Sequence, residues 1–170
     1  MIEQNLCSIC AAQAQTCCQG QGRDIYITRG DLKRIKAFCG QEYFYEFRKP
    51  IVAGYLDHDD PLWISWVFRQ DSSRRVLKQN SKADCIFLSS NGCMLPIHIR
   101  PLVCRLFPYE YNEYGFYDEL ASDCPMCRIK GEQAVVRSLG MNKKDADLWR
   151  KLLYNEILWE KDDDEHRIDI

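Results

Sequence analysis

Hydrophobic and polar positions alternate in short blocks along the first half of the chain. Ile25-Tyr26-Ile27 reads as a short strand. Thr28 follows as an N-cap with Asp31 three residues on, the capping-box spacing. Leu32, Ile35 and Phe38 or Cys39 then recur at helical spacing, and Gly40 is a natural stop. A second helix is predicted over Gln41 to Arg48, ending at Lys49 because Pro50 disfavours helix in the residue before it. Asp57 to Pro61 is a loop. Trp63 to Phe68 and Arg75 to Lys78, rich in aromatic and β-branched residues, are predicted strands. Asn91-Gly92 marks a tight turn. Tyr109 to Tyr117, broken by Asn112 and Gly115, reads as a hairpin or loop.

The C-terminal pattern is helical. Glu132 to Leu139 forms one helix, stopped by Gly140. Asn142 caps a longer one with Asp145 at its third position, and Ala146, Trp149, Leu153 and Ile157 repeat every three or four residues toward the core. The fold class expected is α+β: one compact, helix-dominated domain over residues 1–160, with short strands near Ile25 and around the Cys85–Cys93 turn. Residues 161–170 are an acidic tail expected to fray.

Length and composition narrow the function. A chain of 170 residues with 46% hydrophobic and 28% charged residues is long enough for a real core and unlike a disordered chain. Its net charge of −2 gives no basic excess of the kind nucleic-acid binders carry, so no nucleic-acid partner is expected. No long apolar run exists to span a membrane, and the N-terminus lacks the basic and apolar regions of a signal peptide. A cytoplasmic location is therefore expected.

Ten cysteines change the picture most. In a reducing compartment such a number points to metal or redox chemistry rather than to disulfides. They cluster as Cys7, Cys10, Cys17 and Cys18; then Cys85, Cys93 and Cys104; then Cys124 and Cys127. Cys7-x-x-Cys10 has the spacing that brings two thiolates to one metal. Adjacent thiols such as Cys17 and Cys18 point in different directions, so both seldom serve one ion. Arg100 and Arg105 flank Cys104 and could offset a polythiolate charge and lower thiol pKa values. Cys124-Pro125 resembles the last ligand of iron–sulfur runs. Cys39 falls on an apolar helix face and has core packing as a sufficient role. His98, between Cys93 and Cys104, is a lesser ligand candidate; His58 and His166 sit among polar residues and are expected in solvent.

These residues together resemble the YkgJ-type cysteine-cluster proteins, a family described as zinc- or iron-chelating domains that includes the flagellin lysine N-methylase group. The matching positions are Cys7, Cys10, Cys17 and Cys18; Cys85, Phe87 and Leu88; Gly92 and Cys93; then Arg100, Pro101, Cys104, Arg105, Phe107, Pro108 and Cys124-Pro125. One departure stands out: six residues, Ala11 to Thr16, separate Cys10 from the Cys-Cys pair where the family has two. The resemblance implies metal ligation by Cys7, Cys10, Cys17, Cys18, Cys85, Cys93, Cys104 and Cys124. Three readings follow: an iron–sulfur protein holding a [4Fe–4S] cluster in a redox or cofactor-assisted role, a zinc-stabilised binding or structural module, and a protein-modifying enzyme of the methylase kind acting on a protein substrate. Dispersed single cysteines favour the first over paired-knuckle zinc. The N-terminal and central cysteines are expected to meet in one region, because neither group alone supplies a familiar ligand set.

Overall fold

A computed structural model describes residues 10–12, 16–51, 60–122, 124, 135–137, 139 and 141–165, the last five by backbone alone. It mixes helices with short antiparallel strands, an α+β arrangement. Helix α1 spans Arg29–Cys39 and β1 spans Tyr45–Arg48. Helix α2 (Pro61–Val67) and β2 (Arg74–Leu77) follow. The hairpin strands β3 (Leu88–Ser89) and β4 (Gly92–Cys93) precede the short helix α3 (Leu102–Leu106). Strands β5 (Tyr109–Tyr111) and β6 (Phe116–Leu120) form a second hairpin, and helix α4 (Lys143–Glu165) closes the chain.

The signals at the ends of α1 act as expected. The Thr28 hydroxyl accepts from the Asp31 amide at 2.9 Å, and the Asp31 carboxylate accepts from the Thr28 amide at 3.2 Å. Gly40 ends the helix with a left-handed φ of 67°, where a side chain would be strained. Asn142 caps α4 by accepting from the Asp145 amide at 2.8 Å. Asn142→Ala should therefore cost about 1 kcal/mol, measured by urea unfolding; a change near zero would show that the cap bond contributes nothing.

Two predicted elements are corrected. Gln41 to Arg48 is not a helix: Tyr45–Arg48 is a strand paired antiparallel with β2, Tyr45 opposite Leu77 and Arg48 opposite Arg74. Aromatic residues at positions 43, 44, 45 and 47 suit a pleated surface, and a long-range partner decides the matter. Trp63 to Phe68 is not a strand but most of α2. The decisive signal is Asp60-Pro61: Asp60 accepts from the Leu62 and Trp63 amides at 3.1 and 3.3 Å, and proline occupies the first turn, where it needs no N–H partner. Ile25 to Ile27 is extended as expected, bridging to Val76 on the far side of β2 from β1. The predicted helix over Glu132 to Leu139 is described at 135–137, which are helical, and at 139, a turn; Gly140 lies outside the described residues, as do His58 and His166.

Two apolar clusters organise these elements. One joins Tyr26, Trp63, Val67, Leu102, Leu106, Ala146, Leu153 and Ile157, with Trp149 packed against it. It welds α2, α3 and the inward face of α4. The other holds Ile27, Ile35, Phe44, Leu77, Cys85, Phe87 and Leu95, with Cys18, Cys39 and Cys93 packed against it. Between α1 and α4 runs a charged seam. Glu156 accepts from Arg34 at 2.6 and 2.9 Å and from the Thr28 hydroxyl, and Arg34 also donates to Asp31 at 2.7 Å. Gly30 makes room for this seam, since a Cβ there would lie 2.3 Å from the Glu156 carboxylate.

Candidate metal centre

The Cys17–Cys18 pair reaches the central cysteines through backbone bonding. The Gly20 amide donates to Ala83 at 3.0 Å and the Cys85 amide to Cys18 at 2.8 Å, with Gln19 bridged antiparallel to Asp84. Cys93 is delivered by the β3–β4 hairpin, paired across from Leu88. Its two-residue loop, Ser90-Asn91, is closed by the Ser89 hydroxyl donating to the Gly92 carbonyl at 2.8 Å, and Gly92 takes a φ of 92°. Cys104 comes from α3, whose first amide, on Leu102, donates to Asp31 at 3.1 and 3.3 Å. The capping carboxylate of α1 thus also docks the cysteine-bearing helix.

Four thiols gather here. Cys18, Cys85 and Cys93 share one apolar cluster, and the Cys104 thiol lies close enough to feel the charge of all three. Burial pushes Cys104 well above an ordinary thiol, with those neighbours adding to it. Burial likewise raises Cys85 to about 12. Cys18 moves the other way. Its sulfur contacts Cys17 Sγ at 3.8 Å, and that bond lowers it against the opposing effect of burial, with help from the charges of Arg100 and Arg23. The lowering expected from the flanking arginines fails at Cys104, where desolvation prevails as it does at Cys85; of the two arginines, Arg100 acts on Cys18 instead.

Arg100 and Arg105 are both buried, and their bonds brace the loop before α3. Arg100 Nε donates to the Leu95 carbonyl at 2.8 Å. Arg105 donates to the carbonyls of Arg100 at 2.8 Å and His98 at 2.7 Å. His98 is exposed and contributes that carbonyl.

Cys10 is placed apart from this group. It packs with Phe107 and Leu139 against Cys124 and Val135, in a separate apolar cluster. The expected meeting of N-terminal and central cysteines is thus made through Cys17 and Cys18, whereas Cys10 goes with Cys124. Cys7 and Cys127 lie outside the described residues. Cys39 is half-buried against the Ile35 cluster, in keeping with a packing role. Sequence reasoning missed Asp31 as an anchor of α3 and Arg23 as a charge near Cys18. The capping box marks Asp31 locally, but no local pattern signals its bond to Leu102.

The donor set is chemically suited to a thiophilic cation: soft sulfur ligands, buried at Cys85 and half-buried at Cys18, Cys93 and Cys104, with cationic side chains nearby. Among the described residues, no group of three or more His, Cys, Asp and Glu side chains is arranged closely enough to hold a metal ion. Nor is any described helix long and apolar enough to cross a membrane. Compared with protein-family models, curated proteins and solved structures, the chain finds no match in any of the three.

Proposed function

We propose that this protein binds a metal through cysteine thiolates, with Cys18, Cys85, Cys93 and Cys104 as the principal holding set and Cys17 beside it. The observation that carries this reading is the convergence of four thiols from three distant segments into one buried region that also senses arginine charge. As neutral thiols, Cys85 and Cys104, both raised by burial, bring neither a charge nor a strong hydrogen bond to this region. As thiolates on a cation they become ligands, and their charge is compensated. The family resemblance noted above belongs to the same proposal.

An iron–sulfur cluster is the favoured occupant. It would supply one-electron chemistry, and this chain would supply sulfur ligands, an apolar shell and the Arg100 charge, all of which tune potential. Zinc is the second reading. It is favoured by the way the thiols tie the 16–20 segment, the β3–β4 hairpin and α3 together, which is the work of a structural site. Iron, zinc and acid-labile sulfide measured on anaerobically purified protein separate the two. Cys18→Ser and Cys104→Ser should each lose bound metal, while Cys39→Ser retains it. Protein that is metal-free and takes up neither iron with sulfide nor zinc would overturn the proposal.

Arg105→Gln gives a further discrimination. In a redox cluster, losing this cation should move the midpoint potential downward, because adding an electron becomes less favourable. In a zinc site it should only lower stability, since the His98 and Arg100 carbonyls lose their donor. Potential and metal content measured together on the variant distinguish the outcomes.

A further inference from the structure

A cleft of about 220 Å³ opens on a different side of α3, lined by aromatic rings and two acids. Val103 and Phe107 of the Cys104 segment form part of its wall, yet none of the gathered thiols lines it. Its rings are set at steep angles. Tyr26 and Trp63 stand 5.2 Å apart at 68°, and Tyr111 and Tyr154 stand 6.5 Å apart at 88°. Paired this way, the rings present both faces and edges to whatever lies between them.

The walls are fixed before any ligand arrives. Asp60 caps α2 through the Leu62 and Trp63 amides, and the same carboxylate accepts the Tyr154 hydroxyl. One buried acid therefore holds a ring from each pair. Preorganisation of this kind cuts the entropy lost on binding. Tyr154 and Tyr26 are both pushed far above an ordinary phenol by burial, with nearby acids adding to it, so these walls stay neutral at physiological pH.

Among the described residues, the charged groups lining the cleft are two acids, Asp24 and Glu110. Asp24 is 1% exposed. Its Oδ1 accepts from Arg48 at 2.9 Å. Its Oδ2 makes no hydrogen bond and has Arg74 Nη2 at 3.7 Å, an ion-pair distance beyond hydrogen bonding. The two arginines offset Asp24, but Arg48 is shared with Glu46, and Glu110 adds a negative charge to the cleft wall. A buried carboxylate oxygen without a hydrogen bond calls for a donor.

We propose that this cleft binds the protonated amino headgroup of a small organic cation, an alkylammonium whose charge lies among the rings of Tyr26, Trp63, Tyr111 and Tyr154 and whose N–H donates to Asp24. Aromatic faces attract such a cation through their quadrupoles, and desolvation strengthens the effect. The volume is below the roughly 300–1,000 Å³ of sites for whole drug-sized molecules, so a headgroup fits and the remainder of the ligand extends outward. The inference stands on different residues from the metal proposal and does not depend on it.

The test is a nuclear magnetic resonance titration of the full chain with n-butylammonium chloride at constant ionic strength, with 1-butanol as the neutral comparator. Saturable shifts are expected at the Trp63 indole N–H and the Ala121 amide, with butanol weaker by about tenfold or more. Asp24→Asn should weaken the ammonium by about tenfold and Glu110→Gln by about threefold. Asp24 also holds Arg48 and Arg74, so its variant can fail to fold. In that event Glu110→Gln, at an exposed position, and Tyr111→Leu, at a half-buried one, decide. No saturable shift at these residues, equal binding of butanol, or variants that bind the ammonium as the wild type does would overturn the proposal.

Discussion

Asp31→Ala is expected to cost about 3–5 kcal/mol and to release α3 before the rest of the fold. The Asp31 carboxylate is fully buried and accepts from the Thr28 amide, the Leu102 amide and Arg34. Arg34 keeps Glu156 after the substitution, so the cation is not stranded. The two amides are. Each buried N–H left without a partner costs about 1–3 kcal/mol, and the weakened cap adds to it. Urea unfolding gives the total. Hydrogen exchange should show early loss of protection at Cys104 and Arg105, whose amides donate to Pro101 within the first turn of α3. A cost under about 1 kcal/mol would show that Asp31 does not anchor this helix.

The same carboxylate gives a pH dependence of definite sign. Burial raises the Asp31 carboxyl above its ordinary value against the opposing pull of Arg34. The folded protein therefore holds this proton more tightly than the unfolded chain does. Its contribution to stability is full below the ordinary carboxyl value near 3.9 and is lost as pH rises through the higher folded value. Asp31→Asn cannot titrate. The stability of wild type relative to Asp31→Asn should accordingly be greater at pH 4 than at pH 7. The reverse trend would mean that Arg34, and not burial, governs this acid.

Where chain-local chemistry decides, the sequence was a sound guide. The Thr28–Asp31 box, Gly40, the Asn142 cap and the inward faces of Ala146, Leu153 and Ile157 are all set within a turn or two of the residues concerned. Expectation and structure part at two elements, one set by a distant partner and one by a local cap that outweighs composition. Tyr45–Arg48 is a strand because β2 pairs with it, and Trp63 to Val67 is helical because Asp60-Pro61 starts a helix that the aromatic composition argues against. The candidate site divides the same way. Cysteine number and spacing pointed to metal chemistry. Which thiols stand together depends on the backbone bonding of 18–20 along 83–85 and on the Asp31–Leu102 bond, neither of which leaves a mark in local spacing. The aromatic cleft has a related history. Tyr109, Tyr111 and Phe116 lie in the stretch whose pattern gives a hairpin or loop, and they pack there as a ring cluster, while Tyr26, Trp63 and Tyr154 reach the cleft from elsewhere in the chain.

Stripping metal from the proposed thiol centre is expected to perturb this protein on the same scale as the Asp31 substitution. A ligand that binds only the folded state stabilises it by about 4 kcal/mol when present at a thousandfold its dissociation constant. For a chain of this length each kcal/mol moves the melting temperature by about 2–4 °C, so metal-loaded protein should melt about 8–16 °C above the stripped form. The loss should be uneven. Ala146, Leu153 and Ile157 belong to a cluster that contains no cysteine, and their amides should stay protected. Cys85, Phe87 and Leu95 sit in the cluster that Cys18 and Cys93 join, and the segment around them should exchange rapidly once the sulfurs are free. Cys85→Ser should reproduce the stripped state in the presence of metal, and Cys39→Ser should melt with the loaded wild type. Calorimetry on loaded, chelated and variant protein reads all four. Coincident melting of loaded and chelated protein would remove the thiols as a stabilising metal site and leave Cys18, Cys85 and Cys93 as packing side chains of the Ile35–Phe87 core, with Cys104 beside them.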